Sequence, residues 1–180
     1  MTGRLIAVVG PSGAGKDSVI AGLAAARPGL LVCRRSITRP SDETEPFESL
    51  DAETFERRRA AGAFALFWPA HGLSYGIPAE TVDQVRSGHD VIANLSRRVL
   101  GEAAETYPAV FALVVTAAPE TIAERLGARG REAPEEIRQR LARPGISLPP
   151  SIPSARIAND GPLAEAVAAA EAALFGRGAP

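Results

Sequence analysis

Lysine is almost absent from this chain: Lys16 is the only one, and every other basic residue is arginine. Cysteine is as scarce. Cys33 stands alone, which excludes an intrachain disulfide and points to a reducing compartment. No apolar run reaches the roughly 18 residues that a membrane helix needs. Leu5 to Val9 is also too short for the core of a signal peptide. An excess of positive charge is missing too: 20 basic residues face 21 acidic ones, for a formal net charge of −1. That balance argues against nucleic acid or an anionic membrane as a partner. It leaves room for a small anionic substrate, which needs only a local cluster of arginines. A cytoplasmic location is the expectation. What remains is a chain of 180 residues, 46% hydrophobic and 23% charged, the profile of one globular domain with a sizeable core.

The scarcity of lysine makes Lys16 conspicuous. It closes the stretch Gly10-Pro11-Ser12-Gly13-Ala14-Gly15-Lys16, a phosphate-binding pattern G-x-x-x-x-G-K, and is followed by Asp17 and Ser18. Ahead of it, Arg4 to Val9 reads as a short buried parallel strand. After it, Lys16 to Ala26 reads as a helix stopped by Arg27-Pro28-Gly29. Strand, loop and helix in that order are the context in which the pattern means phosphate binding. Backbone N–H groups and a helix N-terminus attract phosphate oxygens, glycines let the backbone come close, and the lysine adds a point charge on the β and γ phosphates.

The position after the lysine is ordinarily Ser or Thr, whose hydroxyl holds magnesium. Here it is Asp17. Asp17 reads either as a first-turn acid favoured by the helix dipole, or as an oxygen ligand for Mg2+, direct or through water. Ser18 is an adjacent alternative hydroxyl. The strand at Asp90 to Leu95 bears on the choice. Such a strand usually ends near a metal-supporting Asp, and this one runs into Asn94-Leu95-Ser96. Moving the carboxylate from that strand to Asp17 keeps the local charge balance.

Further along, the pattern predicts a strand at Leu30 to Cys33, a polar loop through Glu48 and a helix over Asp51 to Ala61, capped by Asp51. A strand at Phe64 to Ala70, with Phe67 and Trp68 in the core, a turn over His71 to Pro78 and a helix at Ala79 to Ser87 follow. Then come a strand at Asp90 to Leu95, a helix at Arg97 to Thr106, a strand at Phe111 to Thr116 and a helix at Pro119 to Ala128. A short helix at Glu135 to Ala142, a strand at Ala155 to Ala158 and a helix at Leu163 to Phe175 close the chain. The alternation implies an α/β fold, a parallel sheet covered by helices on both faces.

The phosphate loop is followed in order by S-I-T-R-P (36–40), F-W-x-x-H-G-L-S-Y-G (67–76), R-L-G-A-R-G-R-E (125–132) and I-A-N-D-G (157–161). On these landmarks the chain resembles the guanylate kinase family nearly end to end. The resemblance implies a P-loop kinase fold in a single domain over 1–180. Its core would be 1–34, 89–128 and 143–180, with an acceptor-binding region at 35–88 and a mobile lid at 129–142. Guanylate kinases read guanine with a Ser, a Glu, a second Ser and an Asp, at places aligning with Arg35, Phe67, Ile77 and Ser96. Phe and Ile cannot accept the N–H groups of the base, and a site that loses such partners loses its selectivity. Phosphate-binding features are kept in part: Arg39 aligns with an acceptor-phosphate Arg and Tyr75 with a phosphate-binding Tyr. The other family Tyr is replaced by Phe47, and a second Arg is lost near Asp42.

A nearer resemblance is to the ribose 1,5-bisphosphate phosphokinase branch. It rests on G-P-S-G-A-G-K-D-S with its unusual Asp, R-x-I-T-R-P, H-G-L-S-Y-G-I-P, and N-x-S-R at Asn94 to Arg97. Leu95 departs from the small Gly of that pattern, and the resemblance implies that a larger side chain there changes the floor of the acceptor pocket. The resemblance implies phosphorylation of ribose 1,5-bisphosphate by ATP with Mg2+, giving phosphoribosyl diphosphate in phosphonate breakdown.

An acceptor that is itself a phosphate is largely ionised near neutral pH, its second pKa being about 6, so no general base is required. A dry cationic clamp is required instead. Lys16 supplies one part. Arg125 and Arg129 lie i, i+4 on one helix face, with Arg140 after them, and the resemblance makes these three lid arginines. Arg131 is a further candidate. Arg35, Arg39 and Arg97 suit bidentate phosphate contacts, Arg35 above all because it replaces a base-reading Ser. Tyr75, Asn94 and Ser96 join them as acceptor-site residues. His71 reads equally as a ribose contact and as a turn former, and Asn159-Asp160 as an adenine-side turn or a strand terminator. Two other readings compete: a nucleotide kinase of altered base choice, and a non-catalytic binding module, against which the intact Gly15, Lys16 and arginines argue.

Overall fold

The structure, a computed structural model, describes residues 3–40, 46–128 and 147–176. In chain order its elements are β1 (Leu5–Val9), α1 (Lys16–Ala26), β2 (Leu31–Val32), β3 (Ser36–Ile37), β4 (Glu48–Ser49), α2 (Ala52–Ala60), β5 (Phe64–Ala70) and β6 (Leu73–Pro78). They continue with α3 (Glu80–Arg86), β7 (Val91–Asn94), a 3-10 turn (Arg97–Val99), α4 (Leu100–Thr106), β8 (Val110–Thr116), α5 (Pro119–Ala128), β9 (Ser154–Ala158) and α6 (Leu163–Phe175).

β1 reads Leu-Ile-Ala-Val-Val, and all five side chains are buried. A central parallel strand must be apolar on both faces, and its pleat sorts the side chains between them. Leu5, Ala7 and Val9 enter one core, and Ile6 and Val8 the other. The sheet is parallel throughout, in the order β2-β7-β1-β8-β9. On the Ile6 face, α1 and α6 pack through Val19, Leu23, Ala170 and Leu174. On the Leu5 face lie α4, through Leu100 and Ala103, and a second sheet, through Leu66, Trp68 and Ile77.

That second sheet is built between β2 and β7, in the order β4-β3-β6-β5. β3 runs parallel to β4 and antiparallel to β6, which pairs antiparallel with β5. The sequence pattern predicts a turn across 71–78, but the turn is confined to His71-Gly72, between the paired Ala70 and Leu73. Both turn residues have positive φ, 53° and 72°, as a two-residue hairpin requires. The rest, through Pro78, is strand β6. Its Gly and Pro are not breakers there. The Phe64 ring lies over Gly76, where a Cβ would come within 2.7 Å of it, and Pro78 is the last residue of the strand. β3 and β4 fall in the segment that reads as polar loop. Each has two residues, too few to show a period.

Two other expectations change. Phe67 is not in the core: it is 41% exposed, with the Arg59 guanidinium 5.1 Å from its ring centre. Strand alternation sends Leu66 and Trp68 inward and Phe67 out. The Arg97 to Thr106 helix starts as a 3-10 turn, capped by Ser96 accepting from the Arg98 N–H. The Asp51 cap of α2 is present, its side chain accepting from the Thr54 N–H. The predicted Glu135 to Ala142 helix lies outside the described residues. No described helix is long and apolar enough to cross a membrane.

One buried hydrogen bond ties α3 to the segment after α4. The Thr81 hydroxyl donates to the Pro78 carbonyl at 2.7 Å, and lies 2.7 Å from the Tyr107 hydroxyl. Thr81 has one proton, already given, so Tyr107 is the donor in the second bond. Burial pushes the Tyr107 phenol up to about 12, well clear of physiological pH. Tyr107→Phe is therefore expected to cost about 1 kcal/mol. In a chain of 180 residues that lowers Tm by roughly 2–4 °C, measurable by calorimetry.

Candidate active site

β1 ends at the phosphate loop, and β7 ends beside it, since Val8 pairs with Asn94. The connection from β1 leads to β2 on one side of the sheet, and that from β7 leads to β8 on the other. Ligands of open α/β sheets bind at such a switch point, beyond the carboxyl ends of the strands. A cleft of about 770 Å³ opens there.

Gly15 forms the N-cap of α1 with φ 86°, a left-handed conformation that favours glycine. No side chain caps this helix. The first turn of an α-helix leaves N–H groups that the helix itself does not use, and the loop at the head of this one lines the cleft. A helix end of this kind attracts anions such as phosphate. The carbonyls of the loop are tied instead. Lys16 Nζ donates to the carbonyls of Gly10 at 3.0 Å and Pro11 at 2.9 Å. Asn159, 4% exposed, donates Nδ2 to the Ala14 carbonyl at 2.8 Å. A Cβ on Gly15 would come within 2.4 Å of that same Nδ2. Asn159 is thus the buttress of the loop, a role that I-A-N-D-G in the sequence does not disclose because 145 residues separate the partners. Its neighbour Asp160 accepts from the Ala118 N–H at 2.5 Å, at the start of α5.

α5 closes one side of the loop. Ile122 and Leu126 lie against Gly13, and an Arg125 NH1 lies 3.8 Å from where a Gly15 Cβ would be. That guanidinium nitrogen is buried and has no hydrogen-bond partner among the described residues. A buried donor left unmade is costly, and a phosphate oxygen at the loop would satisfy it. The donor set therefore fits a nucleotide phosphate. Arg129 and Arg140, grouped with Arg125 by sequence, lie outside the described residues, as does Arg131.

The loop continues into the cleft at Ser12, Lys16, Asp17 and Ser18. Asp17 Oδ1 accepts a hydrogen bond from Asn94 Nδ2 at 2.8 Å. No group of three His, Cys, Asp or Glu side chains gathers among the described residues. A magnesium ion that takes one protein carboxylate and completes its shell with phosphates and water fits this donor set.

Across the cleft stand Arg35, Arg39, Tyr75 and His71. Arg35 is only 9% exposed, and its NH1 donates to the Asn94 carbonyl at 3.2 Å. Burial lowers its pKa from the ordinary arginine value, and the Asp17 carboxylate is the strongest influence in the other direction. Its guanidinium carbon lies 5.8 Å from the Tyr75 ring centre, and Tyr75 stacks on Trp68 at 5.4 Å. Arg39 lies over the Phe47 ring at 4.4 Å. Ser36, next to Arg35, donates to Glu48 at 2.7 Å, and this bond holds the Glu48 carboxyl below its usual range.

Ser96 and Leu95 line the cleft, and Leu95 is buried in the core as well. Arg97 is exposed on the 3-10 turn and is not among the residues lining the cleft. Pro11 and Ala14 contribute backbone rather than cleft wall. Cys33 packs against the core beside Leu31, and burial pushes its thiol up to about 12.

A phosphate loop with its lysine, an uncapped helix end and a facing arginine cluster on a parallel sheet define a P-loop kinase. No protein-family model matches the chain. It is 43% identical to the ribose 1,5-bisphosphate phosphokinase PhnN of Ruegeria sp. (strain TM1040), over 96% of this chain and 92% of that protein. It is 41% identical to a bifunctional ribose 1,5-bisphosphokinase-thymidine phosphorylase of Cupriavidus necator, covering 90% of this chain but 27% of that longer protein. The guanylate kinase of Anaplasma phagocytophilum has the same fold, with a TM-score of 0.69 at 18% identity, over 98% of this chain and 86% of that one. The chain belongs to the ribose 1,5-bisphosphate phosphokinase family.

Two outcomes test this geometry. Asn159→Asp replaces the donor to Ala14 with a carboxylate, so ATP affinity should fall by about tenfold or more in calorimetric titration. Native Cys33 should resist alkylation from pH 7 to 9, because a raised pKa keeps it a thiol there, and should react readily once the protein is unfolded.

Proposed function

We propose that this chain transfers the γ-phosphoryl group of ATP to the 1-phosphate of ribose 1,5-bisphosphate, forming 5-phosphoribosyl 1-diphosphate and ADP. The observation that carries the proposal is Arg35, a buried guanidinium facing the phosphate loop across one cleft. The family and its position in the cleft support a cationic acceptor pocket in place of a base-reading one. Ile77, which aligns with a base-reading Ser, is fully buried, and Phe67 faces Arg59 outside the cleft. Neither offers a polar group to guanine.

The step is a displacement at phosphorus. An oxygen of the 1-phosphate forms the new bond to the γ-phosphorus, and the bond from that phosphorus to the oxygen it shares with the β-phosphate breaks. The electron pair leaves on ADP. The attacking oxygen is already ionised, so no side chain must take a proton. The chain instead gathers negative groups and holds them in line. Lys16 and the first turn of α1 hold the donor phosphates, with Arg125 at the loop edge. Arg35, Arg39 and Tyr75 hold the acceptor within residues 35–88. Lid arginines Arg129 and Arg140, in 129–142, would complete the clamp and exclude water. Asp17 would hold Mg2+ as its protein oxygen, and the ion would supply neutralisation of charge on the phosphates. With ATP as donor, the reaction belongs in the cytoplasm, in the use of ribose phosphates released from phosphonates.

Phosphorus NMR with ATP, Mg2+ and ribose 1,5-bisphosphate should show the coupled pair of a new diphosphate. GMP in place of the sugar should give no ADP. Formation of ADP with GMP and none with the sugar would overturn the proposal in favour of a nucleotide kinase. Arg35→Ala should lower kcat/KM for the sugar by about 100-fold or more, the size of effect seen when a buried ion-pairing group is truncated. Its KM for ATP should change little.

A further inference from the structure

The end of β7 carries an amide where a phosphate-loop enzyme ordinarily carries an acid, and this amide reaches Asp17. Asp17 as a carboxylate can only accept hydrogen bonds, so the Asn94 atom 2.8 Å from its Oδ1 is the amide nitrogen, the donor. Asn94 also uses its main-chain carbonyl, which accepts from Arg35 NH1 at 3.2 Å. The residue itself is fixed by the sheet: Val8 pairs with it, and the following Leu95 N–H donates to the Val8 carbonyl at 3.0 Å. One residue on a rigid strand thus holds the carboxylate of the loop with its side chain and the acceptor-side arginine with its backbone.

We propose that Asn94 is a positioning residue for Asp17: it fixes the orientation of the Asp17 carboxylate toward the bound nucleotide–metal complex and ties it to the Arg35 side of the cleft. This rests on Asp17 serving the nucleotide–metal side, as in the proposed function. A free Asp side chain at the first turn of a helix samples several rotamers, and a charge-assisted hydrogen bond removes that freedom. The exchange of Ser/Thr for Asp on the loop and of Asp for Asn on the strand becomes one paired change. A carboxylate at both positions would set two like charges at hydrogen-bond distance, and an amide opposite a hydroxyl would leave the metal without an acid.

The pair can be separated from Arg35, because Arg35 is bound by the carbonyl of residue 94, which Asn94→Ala keeps. The test is a double-mutant cycle of Asn94→Ala and Asp17→Ala, read as the Mg2+ dependence of binding of a non-hydrolysable ATP analogue. No acceptor is needed, so the result stands whichever acceptor is phosphorylated. Asn94→Ala should weaken Mg2+-dependent binding by about tenfold in the wild-type background, the order of one hydrogen bond to a charged group. It should have no further effect once Asp17 is Ala. Equal effects in both backgrounds, or no effect in either, would overturn the proposal. Asn94→Asp is the second variant. In nucleotide-free protein its pair of carboxylates should give a Mn2+-dependent rise in Tm that the wild type lacks, and absence of that rise in a folded variant would also count against it.

Discussion

The structure depends on keeping a short loop of backbone bent so that its carbonyls face protein and its helix end faces the cleft. A peptide has as many acceptors as donors, so a loop meant to receive anions must dispose of its oxygens elsewhere. Here Lys16 takes those of Gly10 and Pro11, and Asn159 takes that of Ala14. The parallel sheet serves this end. It delivers β1 into the loop and brings the ends of β7 and β9 to its two sides. Asn94, at the end of β7, reaches Asp17, the second residue of α1, and Asn159, just past β9, reaches the loop at Ala14.

Charge is distributed with the same economy. The chain has nearly equal numbers of acidic and basic residues, yet cations converge on one cleft. Arg35 is held there over the Tyr75 ring and by the Asn94 carbonyl, and Asp17 offsets part of its cost of burial. The aromatic pair Trp68 and Tyr75 forms a rigid wall behind it. A pocket of this kind favours a small, highly charged acceptor over a flat, neutral base.

Much of the fold was legible from local pattern. The all-apolar β1, the glycine loop, the Asp51 cap and the start of α5 at Pro119 each follow from a few adjacent residues. The misreadings share one cause. Gly76 and Pro78 look like turn residues until the Phe64 ring and the strand end are seen. Phe67 looks like core until its strand is aligned with the buried Leu66 and Trp68. β3 and β4 are defined by long-range pairing, β3 with β6 and β4 with β3.

The site divides along the same line. The sequence by itself determined the phosphate-loop pattern at Gly10 to Lys16, because that pattern is written in consecutive residues. It also determined that Asp17 stands where the pattern has a hydroxyl. Only the tertiary structure decided that Asn94 meets Asp17 and that Asn159 locks the loop. Those pairings join residues up to 145 positions apart. Contacts of that span are set by strand order and register, which no local period encodes.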